Sequence, residues 1–364
     1  MTDERMIPEL SGRARWRTRH DTTSLIEVDG APLAVGVDEE GVLHTCDLRT
    51  GARTEVPLDL DPQTLVGPLL HDEEDEEFEE DEEDEEDLSE YEVDTYKLAA
   101  RVAALHLGGR PVVLTGADRF DVLMTDDDYG GGAVRAWDLR TGRMIGRPMD
   151  GHELGVTALT ALAGPGAALS VSSSEEGRLV VWDLDRGERV ANLAGSYNGV
   201  MGAGFAGGRP IAATGGHHDY VEVWDLAAGE RIGEPLTGID GPVRAIAVTE
   251  VEGRAVVLAA GDADTALYRW DLVGGGSAGA PLTGHTDSVI DLAAVVAGGR
   301  PIAVSGAADR TARVWDLAGG GQIGAPIEGC WLLEDVAVIG GVPVALTSSL
   351  EGELQVWDLD RAAR

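Results

Sequence analysis

Thr311-Ala-Arg-Val-Trp-Asp-Leu317, TARVWDL in one-letter form, ends on a tripeptide that the chain uses again and again. Trp-Asp-Leu stands at Trp137, Trp182, Trp224, Trp270, Trp315 and Trp357, spaced by 45, 42, 46, 45 and 42 residues. Self-similarity at a period of 40 to 45 residues marks a repeat architecture, in which each unit buries its apolar face only against its neighbours. Cys46-Asp47-Leu48 is a seventh, degenerate copy. Its 91-residue distance to Trp137 is one period plus an acidic run and a second, smaller insertion. Seven repeats then fill the chain.

Within each repeat the apolar runs are short and bounded by turn residues, as in Pro301 to Val304, Ala312 to Leu317 and Gln322 to Ile327. They are too short for helices and have strand character, four to a repeat. Four residues after the Asp of the signature stands a glycine in six repeats (Gly51, Gly142, Gly187, Gly229, Gly275, Gly320), with Ala362 as the exception. A hairpin ending in a positive-φ residue needs that glycine. Prolines follow the turn at Pro57, Pro148, Pro235, Pro281 and Pro326. Because proline removes a ladder donor, it marks the fourth strand as the outer edge of the repeat. Gly-Gly-Arg-Pro at Gly108, Gly207 and Gly298, with Gly340-Gly341-Val342-Pro343 as a variant, turns the first strand into the second.

The chain resembles the WD-repeat family, whose signature opens each repeat with Gly-His and closes it with Trp-Asp. The resemblance implies an all-β, seven-bladed WD-repeat β-propeller with four antiparallel strands per blade, spanning residues 1–364. It also implies a hydrogen-bonded tetrad, which the sixth repeat matches through His285, Ser305, Asp309 and Trp315. An indole N–H can only donate, a hydroxyl can accept it and donate onward, and an imidazole can bridge to the carboxylate. The third repeat has His152, Ser172 and Trp182 but Glu176 in place of Asp. The fifth has Asp264 and Trp270 but Ala260 and no His, so such blades are expected to lean on apolar packing. Only six residues follow Asp358, too few for an outer strand, whereas Arg13 to Thr18 precede Arg19-His20 as outer strands precede Gly-His elsewhere. The N-terminal segment is therefore expected to supply the last blade's fourth strand and close the ring.

With 43% hydrophobic residues the chain can bury a large core. Cys46 and Cys330 are far apart and fit no zinc or disulfide spacing, in keeping with a reducing, cytoplasmic setting. No apolar leader or bilayer-length uncharged run occurs. A single lysine, Lys97, beside abundant Arg, Ala, Gly and Val points to a GC-rich bacterial genome.

The formal charge is −38, and the run from Asp72 to Asp94 holds 18 acidic residues and no basic one. The remainder still carries 48 acidic against 28 basic residues. Such a field disfavours nucleic acid and anionic membranes and favours proteins with basic segments. Family topology puts the acidic loop (71–94, inserted at the start of the second blade) and the second insertion (118–132) on one face of the ring. The acidic loop is expected to be disordered. It reads as an electrostatic bait, a merely solvated loop or a low-affinity cation sponge.

Five aromatic residues are candidate partner anchors: Tyr197 and Trp331 in repeat-opening loops, Tyr220 in the adjoining turn type, and Phe78 and Tyr91 within the acidic run. Packing into the blade is the competing reading. Asp126, Asp127, Asp128 and Tyr129, and the cluster His217, His218 and Asp219, lack the spacing of a metal site. No nucleophile, phosphate-loop or zinc-protease signature appears, so neither enzyme activity nor a metal or other cofactor is expected. The leading expectation is a monomeric, non-catalytic interaction scaffold. Its alternatives are a propeller enzyme with a central-channel site and an acidic decoy that mimics nucleic acid.

Overall fold

A computed structural model describes residues 23–38, 41–59, 101–116, 132–153, 155–164, 167–174, 176–194, 199–272, 276–350 and 352–361. The expected N-terminal closing strand, the acidic loop and almost all of the second insertion, with Phe78 and Tyr91, lie outside them, as does Tyr197. The described residues form seven antiparallel sheets whose strands neighbour one another in chain order, first to fourth in six blades and first to third in the seventh. The chain is thus an all-β, seven-bladed propeller. In the sixth blade the strands are Val289–Ala297, Arg300–Ala307, Thr311–Asp316 and Gly321–Glu328. The first strands of successive blades lie side by side all the way round, the seventh meeting the first, so they wall the central channel.

Turn chemistry explains the hairpins. Gly108-Gly109, Gly207-Gly208, Gly298-Gly299 and Gly340-Gly341 have φ of 56–59° followed by 74–82°. That is the two-residue turn with both central residues at positive φ. At the third-to-fourth turn the signature Asp closes a side-chain ring: Asp316 Oδ1 accepts the N–H groups of Ala318 (3.1 Å) and Gly319 (3.2 Å). Asp47, Asp138, Asp183, Asp225 and Asp358 do the same two and three residues on. A carboxylate at that position mimics a backbone turn. At Gly142 a Cβ would strike the carbonyl oxygen of Pro57, so the second blade's hairpin approaches the first blade's edge too closely for any side chain.

The prolines act where the edge reading places them. The third blade has no proline after its turn, and its fourth strand, Glu188–Ala194, is unbroken. In the fourth blade the edge is split into Glu230–Arg231 and Leu236–Thr237 around Pro235, and in the fifth into Gly276–Ser277 and Leu282–Thr283 around Pro281. In the second only Met149–Asp150 remains after Pro148. Lost ladder donors fit those three gaps, whereas in the sixth blade Gly321–Glu328 runs on through Pro326, with a register shift between Ala312 and Val314.

Seven apolar clusters fill the seven blade-to-blade interfaces, and each signature residue packs against the preceding blade. Trp315 sits among Leu258, Leu267 and Val289. At the seam, Cys46 holds the tryptophan's place, and Leu25 and Leu48 of the first blade meet Leu346, Leu354 and Val356 of the seventh. This seam also carries polar links. Asp335 accepts the N–H of Leu25 at 2.7 Å and the hydroxyl of Ser24 at 3.2 Å. Ser24 Oγ in turn accepts the N–H of Ala104 in the second blade at 3.1 Å. The ring is therefore joined across this seam by core packing and by hydrogen bonds. Three strands of the seventh sheet are described, Leu332–Ile339, Val342–Ser348 and Leu354–Asp358.

Candidate functional site

In the third, fifth, sixth and seventh blades the loop that opens the repeat and the second-to-third-strand turn are tied together, which fixes one face of the ring. In the sixth blade the tie is the tetrad. Trp315 Nε1 donates to Ser305 Oγ (2.8 Å), His285 Nε2 lies 2.8 Å from the same oxygen, and His285 Nδ1 is 3.0 Å from Asp309. Burial pushes the imidazole below its usual pKa, against the opposing pull of Asp309, so the ring is neutral. With its one proton on Nδ1 facing the carboxylate, Nε2 accepts from Ser305, and donation runs Trp315, Ser305, His285, Asp309. Burial works to raise the Asp309 pKa. The N–H of Thr286 and the hydroxyl of Thr311 prevail and hold it below the ordinary carboxylate value.

The other blades keep parts of this device. Trp137, Trp224 and Trp357 donate to Thr115 (2.9 Å), Thr214 (3.1 Å) and Thr347 (2.8 Å). In the third blade His152 meets Ser172 at 2.8 Å, but its Nδ1 stands 3.5 Å from Glu176 and is left without a hydrogen bond. No hydrogen bond ties Trp182 to that serine. In the fifth, Trp270 packs beside Tyr268 with ring centres 6.1 Å apart. Asp264 accepts the Tyr268 hydroxyl (3.2 Å) and the N–H groups of Gly261 (3.0 Å) and Asp240 (3.2 Å). Tyrosine thus supplies a donor that the missing histidine does not, a substitution the residue pattern did not reveal.

The residue after the histidine position is held by its amide to that turn: Thr286 to Asp309, Glu153 to Glu176 and Asp240 to Asp264. In the seventh blade Cys330 occupies the histidine place, fully buried, with burial pushing its thiol pKa up to about 12. The next residue, Trp331, donates its N–H to the carbonyl of Ser348 at 2.7 Å. Where other blades present Thr, Glu or Asp, this one presents an indole, 44% exposed. Leu332 (40%) and Leu350 (63%) flank it, one following it in the strand and one in the turn two residues past Ser348. Half of the six exposed large apolar residues among those described belong to this patch.

Tyr220 is different. It is half-buried and stacked on His218, with ring centres 5.0 Å apart and planes 7° from parallel. His217, His218 and Asp219 are exposed. Among the described residues, no three His, Cys, Asp or Glu side chains are placed to hold one metal ion.

The channel wall holds an acidic group that sequence reading missed. Asp291 and Asp335 follow irregularities in the first strands of the sixth and seventh blades. Each accepts an N–H from the next blade, Asp291 from Leu333 (3.3 Å) and Asp335 from Leu25. Both are partly buried, and burial raises each pKa to about 6; Glu334 is raised too, again by burial. Their hydrogen bonds make them blade-to-blade links.

The sequence family model described as "WD domain, G-beta repeat" matches residues 277–316, the fifth blade's outer edge and the sixth blade as far as its signature. No curated protein matches the sequence. Among solved structures, the mitotic checkpoint complex contains a chain similar to this one at a TM-score of 0.64 and 15% identity, covering 98% of this chain and 94% of that one. The computationally designed Ika8 protein is similar at a TM-score of 0.53 and 19% identity, covering 96% and 99%. Identities this low speak to the fold alone.

Proposed function

We propose that this seven-bladed propeller, one stretch of which matches the WD-domain model, is a non-catalytic scaffold that docks partner proteins on the face carrying Trp331. The observation that carries the reading is the patch Trp331, Leu332 and Leu350. A large, half-exposed aromatic with aliphatic flanks, at a position that is polar in other blades, has the chemistry of an interface anchor. The rigid blades beneath it hold that surface in place.

Charge selects the partner. A chain of net charge −38, with 18 of its acidic residues between Asp72 and Asp94, draws basic segments and repels nucleic acid. The expected ligand is a protein segment with an apolar side chain to cover Trp331 and Arg or Lys beside it. The carboxylates of the channel wall support this reading over a channel enzyme, because Asp291 and Asp335 are engaged in hydrogen bonds to neighbouring blades.

Affinity capture from the native cell, with wild type beside the double variant Trp331→Ser, Leu350→Ser, tests it. Both positions are exposed, so the fold should survive. Partners bearing basic segments should be retained by wild type and lost by the variant. A partner set unchanged by the variant would overturn the assignment.

A further inference from the structure

The residue before the signature tryptophan is buried and apolar in five blades: Ala136, Val181, Val223, Val314 and Val356. In the fifth it is Arg269, 8% exposed. A guanidinium cannot shed its charge, and taking it out of water is costly unless an anion compensates it. Here none does. Nη1 donates to the Leu317 carbonyl (3.3 Å) and Nη2 to that of Ala280 (3.0 Å), while Nε is buried with no acceptor. No carboxylate among the described residues pairs with it. The nearby acids are taken: Arg254 holds Asp271 at 3.0 Å and Glu252 at 3.4 Å.

Arg269 lines a cleft of about 300 Å³ between the fifth and sixth blades at the outer rim, with Arg254, Asp271, Ser277 and Leu317 around it. Space beside the guanidinium is kept by two glycines. A Cβ at Gly279 would come within 2.8 Å of Nη2 and one at Gly320 within 3.3 Å. The comparable cleft between the second and third blades, about 250 Å³, has uncharged Ala136 at the same place. Only the former joins an open cleft to an uncompensated buried cation.

We propose that this rim cleft binds a small oxyanion, a phosphate or a carboxylate, with Arg269 as the charged floor of the site. Two of its five N–H groups serve backbone carbonyls, and a planar guanidinium can still offer N–H donors to an oxyanion in the cleft. The site lies between blades, so the anion would also bind the two together. It is independent of the docking face around Trp331.

Thermal unfolding of the full chain in inorganic phosphate, in acetate and in chloride at matched ionic strength tests the site. Wild type should show a saturable rise in Tm of a few degrees at about ten times Kd. Response to phosphate alone assigns the site to phosphates, and response to acetate as well assigns it to oxyanions generally. Arg269→Met, which restores an apolar residue, should lose the response. Should Arg269→Met not fold, Ser277→Asp places a carboxylate in the cleft. It should raise Tm in chloride and abolish the anion response. No saturable rise in wild type, or an undiminished one in either variant, overturns the proposal.

Discussion

Trp315→Ala tests the packing and the tetrad together. The side chain is 1% exposed, fills the interface between the fifth and sixth blades among Leu258, Leu267, Val289 and Leu317, and gives its only donor to Ser305. Truncating a buried aromatic costs about 3–5 kcal/mol through lost transfer energy and the cavity left behind. The hydrogen bond contributes about 0.5–1.5 kcal/mol of that loss. Trp315→Phe separates the two, keeping most of the volume and removing the donor, and should cost about 1–2 kcal/mol. Trp182→Ala is the control, since Trp182 is only partly buried and gives Ser172 no hydrogen bond; it should cost less than Trp315→Ala. Equilibrium urea unfolding followed by fluorescence and by circular dichroism measures all three. A cost below about 1 kcal/mol for Trp315→Ala, or equal costs for Trp315→Ala and Trp182→Ala, would refute the reasoning.

Three further outcomes follow from the same account. Replacing Asp72 to Asp94 by a short Gly-Ser linker should leave stability within about 1 kcal/mol, because loop-closure entropy changes slowly with length. It should also slow association with a basic partner in stopped-flow mixing at low salt. High salt should erase the difference, exposed charges being screened beyond about 8 Å at physiological ionic strength; equal on-rates at low salt would end the bait reading. Removing residues 1 to 19 should lower Tm by differential scanning calorimetry, since the third strand of the seventh sheet, Leu354–Asp358, would lose its expected edge neighbour. An unchanged Tm would mean that the seam cluster and Asp335 suffice. Asp291 and Asp335, raised to about 6 by burial, bind protons more tightly in the folded than in the unfolded chain, where aspartate titrates near 3.9. Their contribution to stability therefore grows as pH falls through about 6 and is complete below about 4. The double variant Asp291→Asn, Asp335→Asn should flatten the Tm profile across that window, and an identical profile would contradict it.

Much of the architecture was legible because it rests on local chemistry. Paired glycines demand positive φ at both positions, and Gly108-Gly109 and its counterparts adopt it. Pro235 and Pro281 break the edge strands they sit in. His285, Ser305, Asp309 and Trp315 come together because four residue types with complementary donors and acceptors recur at family spacing. What escaped reading depends on neighbours distant in sequence. Asp335 meets Leu25 across 310 residues, and nothing in the seventh repeat alone announces that bond. The packing of Cys46 at the seam could not be read from a repeat that had merely lost its tryptophan. Arg269 was legible in principle: aligning the residue before each signature tryptophan isolates one charge among Ala and Val. Its lack of a counter-ion was not, because that depends on how Arg254 claims Asp271 and Glu252.

Hydrogen–deuterium exchange on the chain bound to a captured partner tests the docking face most directly. The account predicts new protection in the opening of the seventh repeat, residues 329 to 333, and in the turn at 349 to 353, with the Gly-Gly hairpins at 298–299 and 340–341 unchanged. Protection confined to those hairpins or to the outer edge strands, with the Trp331 segment exchanging as in the free chain, would contradict it.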